Sequence, residues 1–159
     1  MFYTDTPAHP LAPYSTKRRV WQGVPTIERT ARGRFFAAWM SGGYKSYLGN
    51  YCVLTSSTDG GRTYFEPIAV ADAGAGGRCY DPCLWIDPRG RLWFFWAVQP
   101  EHAVWAVRCD DPDAETLVWT VPRAIGYDVM CNKPIVGEGG EWLFPMAVWQ
   151  VSVLGLHTP

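Results

Sequence analysis

Apolar residues in this chain fall in short runs, and each run is bounded by a turn that contains glycine or proline. The clearest runs are residues 35–39, 92–96 and 142–146, and each closely follows a Gly-containing turn. Within the runs the apolar positions alternate or are continuous, and they lack the spacing of a helix face. The pattern indicates short strands joined by tight turns, so the sequence predicts an all-β fold without helices.

The runs belong to a repeat that is marked by proline. Pro25, Pro82 and Pro134 each stand at the start of a predicted strand, where a missing backbone N–H is tolerated. These prolines are 57 and 52 residues apart, and a glycine turn follows them after 8, 8 and 6 residues. Trp39 and Trp96 are again 57 residues apart. A repeat of this length fits a sheet of four strands of about 5–6 residues each.

The repeat divides the chain into an N-terminal segment and three units. Residues 1–20 are polar and proline-rich, which predicts an irregular arm or edge segment, and the units span about 21–75, 76–128 and 129–159. The predicted strands are 24–28, 34–40, 51–56 and 65–70 in the first unit, 82–87, 91–97, 103–109 and 117–121 in the second, and 134–137, 142–149 and 151–156 in the third.

Composition narrows the class of protein. The 159 residues suffice for one ordinary domain, and a net charge of −1 with 18% charged residues predicts neither a nucleic-acid partner nor a membrane surface. No apolar run approaches the ~20 residues that a transmembrane helix needs. Aromatic residues make up 15% of the chain, with 9 Trp. They favour a large buried core, and any exposed rings could bind carbohydrate.

The cysteines predict a reducing compartment and no metal site. There are 5 of them, an odd number, and no signal peptide is visible at the N-terminus, so we expect free thiols and a cytoplasmic location. Cys79 and Cys83 have a spacing that a metal site could use, but the three histidines are scattered and no second cysteine pair exists. The sequence therefore predicts neither a metal nor another cofactor.

Residues 57–64 combine a tight hairpin turn with an unusual set of polar side chains. Gly60 and Gly61 can adopt positive φ without steric cost. The side-chain oxygens of Ser57 and Asp59 can accept hydrogen bonds from backbone N–H groups of the turn. An ordinary Asp-Gly hairpin is the alternative interpretation, because hairpins of that kind are common.

This turn resembles the Asp box, S-x-D-x-G-x-T-W, of the sialidase superfamily and its BNR repeats. Ser57, Asp59, Gly61 and Thr63 match the motif, and Tyr64 stands where the family has Trp. In the family the Asp box joins the two outer strands of a propeller blade and lies away from the substrate pocket. Tyr64 is accordingly expected to return an aromatic ring to the layer below.

Three further segments are similar to the exo-sialidase-like BNR-repeat glycosyl hydrolases: WQGVPTIE at 21–28, DPCLWIDPRGRLWFFWA at 81–97 and NKPIV at 132–136. The resemblance implies a sialidase-like β-propeller of six four-stranded blades, of which this chain supplies about three. It would then be a partial propeller or assemble with other copies. Sialidases hold the carboxylate of sialic acid with three arginines, and Gly23 occupies the position of the first, which argues against sialic acid as the sugar.

The candidate site lies where loops of different units converge, before the first strand of each unit and between its second and third strands. A glycosidase needs two carboxyl groups with opposed roles. Asp81, at the entry of the second unit, and Glu28, in the first strand of the first, are the candidates for catalysis. The alternatives are an Asp-Pro turn start for Asp81 and a structural ion pair for Glu28.

Four more residues are candidates for binding substrate. Arg78 and Lys133 could bind an acidic sugar, or they could be solvated loop charges. Gln22 and Asn132 could bind hydroxyl groups, or they could cap the strand entries. Trp21, like Tyr80, could stack on a sugar or pack in the core.

Two functions remain open at this stage. The first is a glycoside hydrolase acting on a carbohydrate substrate, which predicts a central pocket with at least two converging carboxyl groups. The second is a non-catalytic propeller that binds a carbohydrate or a protein, which predicts a central face without such carboxyl groups. The fold alone decides neither.

Overall fold

The computed structural model describes residues 1–43 and 47–148. This part of the chain is all-β and forms several antiparallel sheets, none of which closes on itself. Its strands are β1 (Phe2–Thr4), β2 (Trp21–Arg29), β3 (Phe35–Gly42), β4 (Tyr51–Ser57), β5 (Ala69–Asp72), β6 (Arg78–Ile86), β7 (Leu92–Gln99), β8 (Ala103–Cys109), β9 (Arg123–Tyr127), β10 (Val129–Met130), β11 (Ile135–Val136), β12 (Trp142–Leu143) and β13 (Met146–Ala147). Ala12–Tyr14 and Thr16–Arg18 are short 3-10 helices.

Two large sheets follow one another along the chain. The first has the strand order β1-β5-β4-β3-β2, and the second has the order β6-β7-β8-β9. Each sheet is a meander of antiparallel strands joined by hairpins, with the additional strand β1 at the outer edge of the first sheet. Residues 129–148 contain two small antiparallel pairs, β10 with β13 and β11 with β12.

The sheets pack face to face, and apolar side chains fill the space between them. Phe36 and Leu54 of the first sheet share one buried cluster with Leu84, Phe94 and Trp96 of the second. On its other face the second sheet buries a further cluster, which includes residues of the third part of the chain. Each central strand is therefore covered on both sides, which explains the continuous apolar runs in β4 and β7.

The same hairpin turn occurs once in each sheet region, at equivalent positions of the sequence repeat. In the turn after β2, Thr30 donates its backbone N–H to Arg34 O, and Gly33 donates to Thr30 O. Residues 87–91 and 137–141 repeat both hydrogen bonds. The glycine of each turn has positive φ, at +95° for Gly33, +77° for Gly90 and +83° for Gly140. The repeat deduced from proline and glycine is thus a repeat of structure.

Residues 57–63 form a turn in which the side chain of Asp59 accepts most of the side-chain hydrogen bonds. Asp59 Oδ1 accepts the backbone N–H groups of Arg62 and Thr63, both at 3.0 Å, and Oδ2 accepts the Thr63 hydroxyl at 2.6 Å. Ser57 Oγ donates to Asp59 Oδ1 at 2.7 Å and accepts the N–H of Gly61 at 3.0 Å. Because hydrogen bonds favour the charged form, the pKa of Asp59 is lowered to about 2, with the Thr63 hydroxyl as the largest cause.

The predicted inner strands of the first two units agree with the structure, but both predicted outer strands are wrong. In the third unit, the single strand predicted at 142–149 is also wrong, because β12 and β13 are separate two-residue strands that pair with β11 and β10. The strand expected at 65–70 is β5, which begins only at Ala69, because Pro67 has no N–H to donate to a ladder. The strand expected at 117–121 is β9, which begins at Arg123. Before it, Trp119 makes only an isolated bridge, and the hydroxyl of Thr120 accepts the N–H of Arg108.

Two further expectations need correction. Tyr64 does not return a ring to the layer below: it is 42% exposed, and before β5 begins the chain contacts β4 only through separate hydrogen bonds such as those from Phe65 N–H to Ser56 O and from Ile68 N–H to Leu54 O. The N-terminal segment, predicted as an irregular arm or an edge segment, is not wholly irregular: it contains two 3-10 helices and the strand β1, which pairs with β5 at the edge of the first sheet. The strand predicted at 151–156 and the residues Tyr44 and Lys45 of a predicted site loop lie outside the described residues.

Candidate functional site

Residues from all three parts of the chain meet around one groove, which we call the entry groove. Its volume is about 540 Å³. It lies between β2, β6 and residues 131–133, near the segments that the repeat predicted to converge. Its walls are formed by Val24, Pro25, Thr26, Ile27, Ala37, Pro82, Cys83, Cys131, Asn132 and Lys133.

The entry groove is held together by contacts between strands that are distant in sequence. The backbone N–H of Leu84 donates to the hydroxyl of Thr26 at 3.2 Å, which joins β6 to β2. Lys133 Nζ donates to the backbone oxygen of Ile27 at 2.8 Å. The relative positions of the three wall segments are therefore fixed by direct hydrogen bonds.

Glu28 and Lys133 form an ion pair beside the entry groove. Lys133 Nζ lies 2.5 Å from Glu28 Oε1. The side chain of Lys133 is 41% exposed, and that of Glu28 is 17% exposed. The two residues were predicted for different roles, Glu28 for catalysis and Lys133 for binding an acidic sugar. Since each neutralises the other, they form one unit in which any role of the carboxylate depends on the lysine.

Asp81 stands at a bulge in β6 immediately before Pro82. The strand pairing of β6 with β7 shifts between Tyr80 and Cys83, and the φ of Asp81 is +46°. Val24 has the same arrangement in β2, with a φ of +52° and a pairing shift between Gly23 and Thr26. Positive φ is unusual for both residue types and most strained for the β-branched valine. The Asp-Pro turn that was the alternative for Asp81 is thus part of a bulge that occurs in both sheets.

The carboxyl group of Asp81 contacts Cys131 from the third part of the chain. Cys131 Sγ lies 3.7 Å from Asp81 Oδ2. Burial raises the pKa of Asp81, although the hydrogen bond from Cys131 and the charge of Arg78 act in the opposite direction. Burial and the nearby Asp81 charge raise the pKa of Cys131 as well, so the thiol stays protonated and donates. A raised pKa makes a carboxyl group a better candidate for the general acid than one with an ordinary pKa.

The remaining predicted residues have different surroundings. The guanidinium of Arg78 lies 4.3 Å from the centroid of the Tyr80 ring. Asn132 lines the entry groove, and its side-chain oxygen accepts the backbone N–H of Lys133 at 2.8 Å. Gln22 pairs with Ser41 in the sheet and has an exposed side chain outside the walls of the groove. The structure therefore brings Asn132 and Lys133 to the groove but leaves Gln22 outside its walls.

Of the two aromatic candidates for sugar stacking, Tyr80 belongs to the core and Trp21 lies at its edge. Tyr80 is 1% exposed and packs with Met40, Ala97 and Val129, and Trp21 lies against the same cluster. Burial raises the pKa of Tyr80 to about 12. The core interpretation is therefore confirmed for Tyr80, whereas Trp21 is only partly buried and its stacking on a sugar stays a prediction.

Sequence reasoning missed three polar residues near the strand entries. Cys131 adjoins Asn132 and was considered only as a cysteine. Asp128 is 1% exposed, and its Oδ1 lies 3.4 Å from Nδ1 of His102. Both residues of this pair have positive φ, at +65° and +50°. The signal that could have found them is their position in the repeat, since both lie in or beside predicted site loops.

All five cysteines are free thiols, four of them buried and Cys131 exposed. Within residues 1–43 and 47–148, no three His, Cys, Asp or Glu side chains come close enough together to hold a metal ion. The same residues include no helix with the length and apolar character needed to cross a membrane. No protein-family model matches this chain, and no curated protein matches it either.

Proposed function

We propose that this chain is part of a sialidase-like β-propeller and that its entry groove belongs to the active site of a glycoside hydrolase. The observation that carries the proposal is the convergence of three strand-entry regions on one groove, with two carboxyl groups at its margin. Carboxyl pairs beside a cleft are what glycoside hydrolysis requires. The surroundings of the two groups differ, because Asp81 is partly desolvated whereas Glu28 is paired with Lys133.

The propeller part of the proposal is supported by the arrangement of the sheets. Two four-stranded meanders follow each other in sequence, pack face to face and share the same inner hairpin turn. The turn at 57–63 has the side-chain hydrogen bonds that suit an Asp box. A radial arrangement of such sheets would be a propeller, and six blades is the number that the sequence resemblance implies.

The proposed roles follow from the contacts of each residue. Asp81 is the general acid, because its pKa is raised and a thiol rather than a cation contacts its carboxyl group. Glu28 is the second carboxylate, which forms an ion pair with Lys133. Arg78 and Asn132 would orient the sugar, and Gln22 would contact it only at the outer margin. The substrate is a glycan, and an acidic sugar would need Lys133 or Arg78 as its partner.

A non-catalytic propeller that binds a carbohydrate or protein is the second candidate. The observation in its favour is the Glu28–Lys133 pair itself, because a carboxylate engaged by an ammonium group at 2.5 Å is also a common structural feature. In this case the entry groove would bind a ligand without cleaving it. The role of Asp81 would then be structural, at the bulge in β6.

Activity measurements on the whole chain separate the two candidates. The substrates are a panel of aryl glycosides of neutral and uronic sugars, each with a nitrophenol and a dinitrophenol leaving group. If Asp81 is the acid, Asp81→Asn slows release of nitrophenol by about 10²–10⁴-fold. Release of dinitrophenol changes little, because this leaving group needs no proton. Glu28→Gln should slow both reactions.

Glu115→Gln is the matched control, since Glu115 is an exposed carboxylate outside the entry groove. It should leave both rates unchanged. If no glycoside of the panel is cleaved while a glycan binds in an Asp81-independent manner, the hydrolase proposal fails and the binding protein takes its place.

A further inference from the structure

A second cavity lies between the first and second sheets, at their edge, and we call it the edge pocket. Its volume is about 560 Å³, within the range of about 300–1,000 Å³ that small-molecule pockets occupy. Its walls come from β1, from the loop after β5 and from β7, β8 and the loops that flank β8. The aromatic, apolar and acidic side chains of this wall include those of Phe2, Trp96, Val98, Glu101, Trp105 and Pro122.

One wall of the edge pocket is an indole ring held in place by a carboxylate. Trp105 Nε1 donates to Glu101 Oε2 at 3.1 Å, so the ring and the carboxylate are oriented together. Trp105 is only partly buried, whereas the face of Trp96 is covered by the stacked ring of Phe2 at a centroid distance of 5.8 Å. Trp105 therefore supplies the accessible aromatic surface, and Glu101 supplies an acceptor beside it.

The charges of the edge pocket restrict the ligand class. Its wall contains the carboxyl groups of Glu101 and Asp72 and the amino group of Met1. Asp72 is already engaged, since its carboxylate accepts the hydroxyl of Tyr14 at 2.7 Å and the N–H of Gly74 at 2.7 Å. The amino group of Met1 donates to the backbone oxygen of Asp72 at 2.5 Å. Because the amino group is engaged and two carboxyl groups outnumber it, the edge pocket favours a neutral ligand with hydroxyl donors over an anionic one.

Among the described residues, the edge pocket and the entry groove share no wall residue, but the neighbouring strands β6 and β7 join their surroundings. Val98 in its wall pairs with Cys79, and Gln99 pairs with Arg78, so the pocket adjoins the strand end that carries Arg78. Asp81 lies three positions further along the same strand. The entry groove lies at β6, whereas the edge pocket lies at β7, β8 and the segment before β9, so a ligand that occupied both would have to pass over the strand ends at Arg78 and Gln99.

We propose that the edge pocket is a distal subsite that binds a neutral sugar unit of a glycan, while another unit occupies the entry groove. A sugar ring has an apolar C–H face that can pack on Trp105 and hydroxyl groups that can donate to Glu101. This inference rests on the proposed function for its link to the entry groove. Binding in the edge pocket can nevertheless be measured without any reaction.

The test is binding of three neutral hexasaccharides, cellohexaose, xylohexaose and mannohexaose, to the whole chain by ligand-observed NMR and tryptophan fluorescence. We expect at least one of them to bind. Trp105→Ala should weaken that binding about tenfold, the loss of one aromatic contact. Glu101→Gln should weaken it several-fold, because glutamine can still accept from the indole N–H but has lost the charge.

Two further variants keep the result interpretable. Trp105→Phe retains an apolar ring if Trp105→Ala does not fold, and it should weaken binding less than the alanine variant. Glu115→Gln, an exposed carboxylate elsewhere, should change nothing. If no hexasaccharide binds, or if binding is the same in Trp105→Phe and Glu101→Gln as in the unaltered chain, the edge pocket is not a sugar site.

The two proposals fail in different ways. Binding is measured again in Asp81→Asn, which removes the proposed acid but leaves the edge pocket intact. Binding that depends on Trp105 in this variant supports the subsite, even if no glycoside is ever cleaved. If cleavage depends on Asp81 but binding is unchanged by substitution of Trp105 and Glu101, the result supports the hydrolase and overturns the subsite.

Discussion

Lys133 donates a hydrogen bond to Glu28 across 105 positions of the chain, at a distance of 2.5 Å. The same ammonium group donates to Ile27 O at 2.8 Å, so one side chain fixes the third part of the chain against β2. This contact defines one side of the entry groove. It also means that the two residues must be tested together.

The Glu28–Lys133 pair should be coupled energetically. Lys133→Met leaves a partly buried carboxylate without its partner, so we expect the free energy of unfolding to fall by about 1 kcal/mol, the upper end for a partly exposed pair. Glu28→Gln alone should cost less, and the double variant should cost less than the sum of the two. A double-mutant cycle by urea denaturation measures the coupling. Strictly additive costs would show that the contact contributes nothing to folding.

The turn at 57–63 should make stability depend on pH at the acid end. Asp59 has a pKa lowered to about 2, against about 3.9 in an unfolded chain, so its charged form stabilises the fold above pH 4. That contribution is lost as the pH falls from about 4 through 2. Titration of the Asp59 carboxyl carbon by NMR should therefore give a pKa near 2.

Variants within the same turn identify the source of this low pKa. Thr63→Val removes the hydroxyl that donates to Asp59 Oδ2 at 2.6 Å, so the pKa of Asp59 should rise. Thr58→Ala alters an exposed neighbour in the same turn and should leave the pKa unchanged. An equal rise in both variants would mean that the pKa reports the whole turn rather than this hydrogen bond.

Asp87 is a buried carboxylate whose loss should destabilise the second sheet strongly. It is 3% exposed, and its Oδ2 accepts Arg91 Nε at 2.7 Å and Trp93 Nε1 at 2.8 Å. Burial alone would raise the pKa of Asp87, but the hydrogen bonds from Trp93 and Arg91 outweigh it and lower the pKa. Asp87→Ala leaves both donors unpaired, so we expect a loss of about 3 kcal/mol in the free energy of unfolding.

Asp110 provides the matched control for Asp87. It also pairs with an arginine, Arg108, at 2.6 Å, but its side chain is 64% exposed. Asp110→Ala should leave the denaturation midpoint almost unchanged, because exposed ion pairs contribute little. If the two variants lose similar stability, burial is not the reason for the importance of Asp87.

The backbone of the repeated hairpin turn can be tested at Gly90. Its φ is +77°, and a Cβ added there would meet no atom within 4 Å. Gly90→Ala therefore imposes backbone strain without a clash, and we expect a loss of about 1 kcal/mol. Gly76 also has open space but no positive φ, so Gly76→Ala should be neutral or slightly stabilising. Thermal unfolding of both variants measures the difference.

The sequence by itself determined the local features of this protein. The hairpins at 30–34, 87–91 and 137–141 and the turn at 57–63 were predictable because their hydrogen bonds join residues no more than four positions apart. Glycine, proline and short polar side chains decide such turns largely without help from distant parts of the chain. The central strands were predictable for a related reason, since burial on both faces demands continuous apolar runs.

Only the tertiary structure determined which of these strands and turns contact one another. The pairing of β1 with β5, the late start of β9 and the exposure of Tyr64 depend on neighbours that no local pattern identifies. The same holds for the contact of Cys131 with Asp81, which brings together residues 50 positions apart. Edge strands and site residues gain their partners only when the sheets pack, because the energy of a long-range contact depends on geometry that the whole fold supplies.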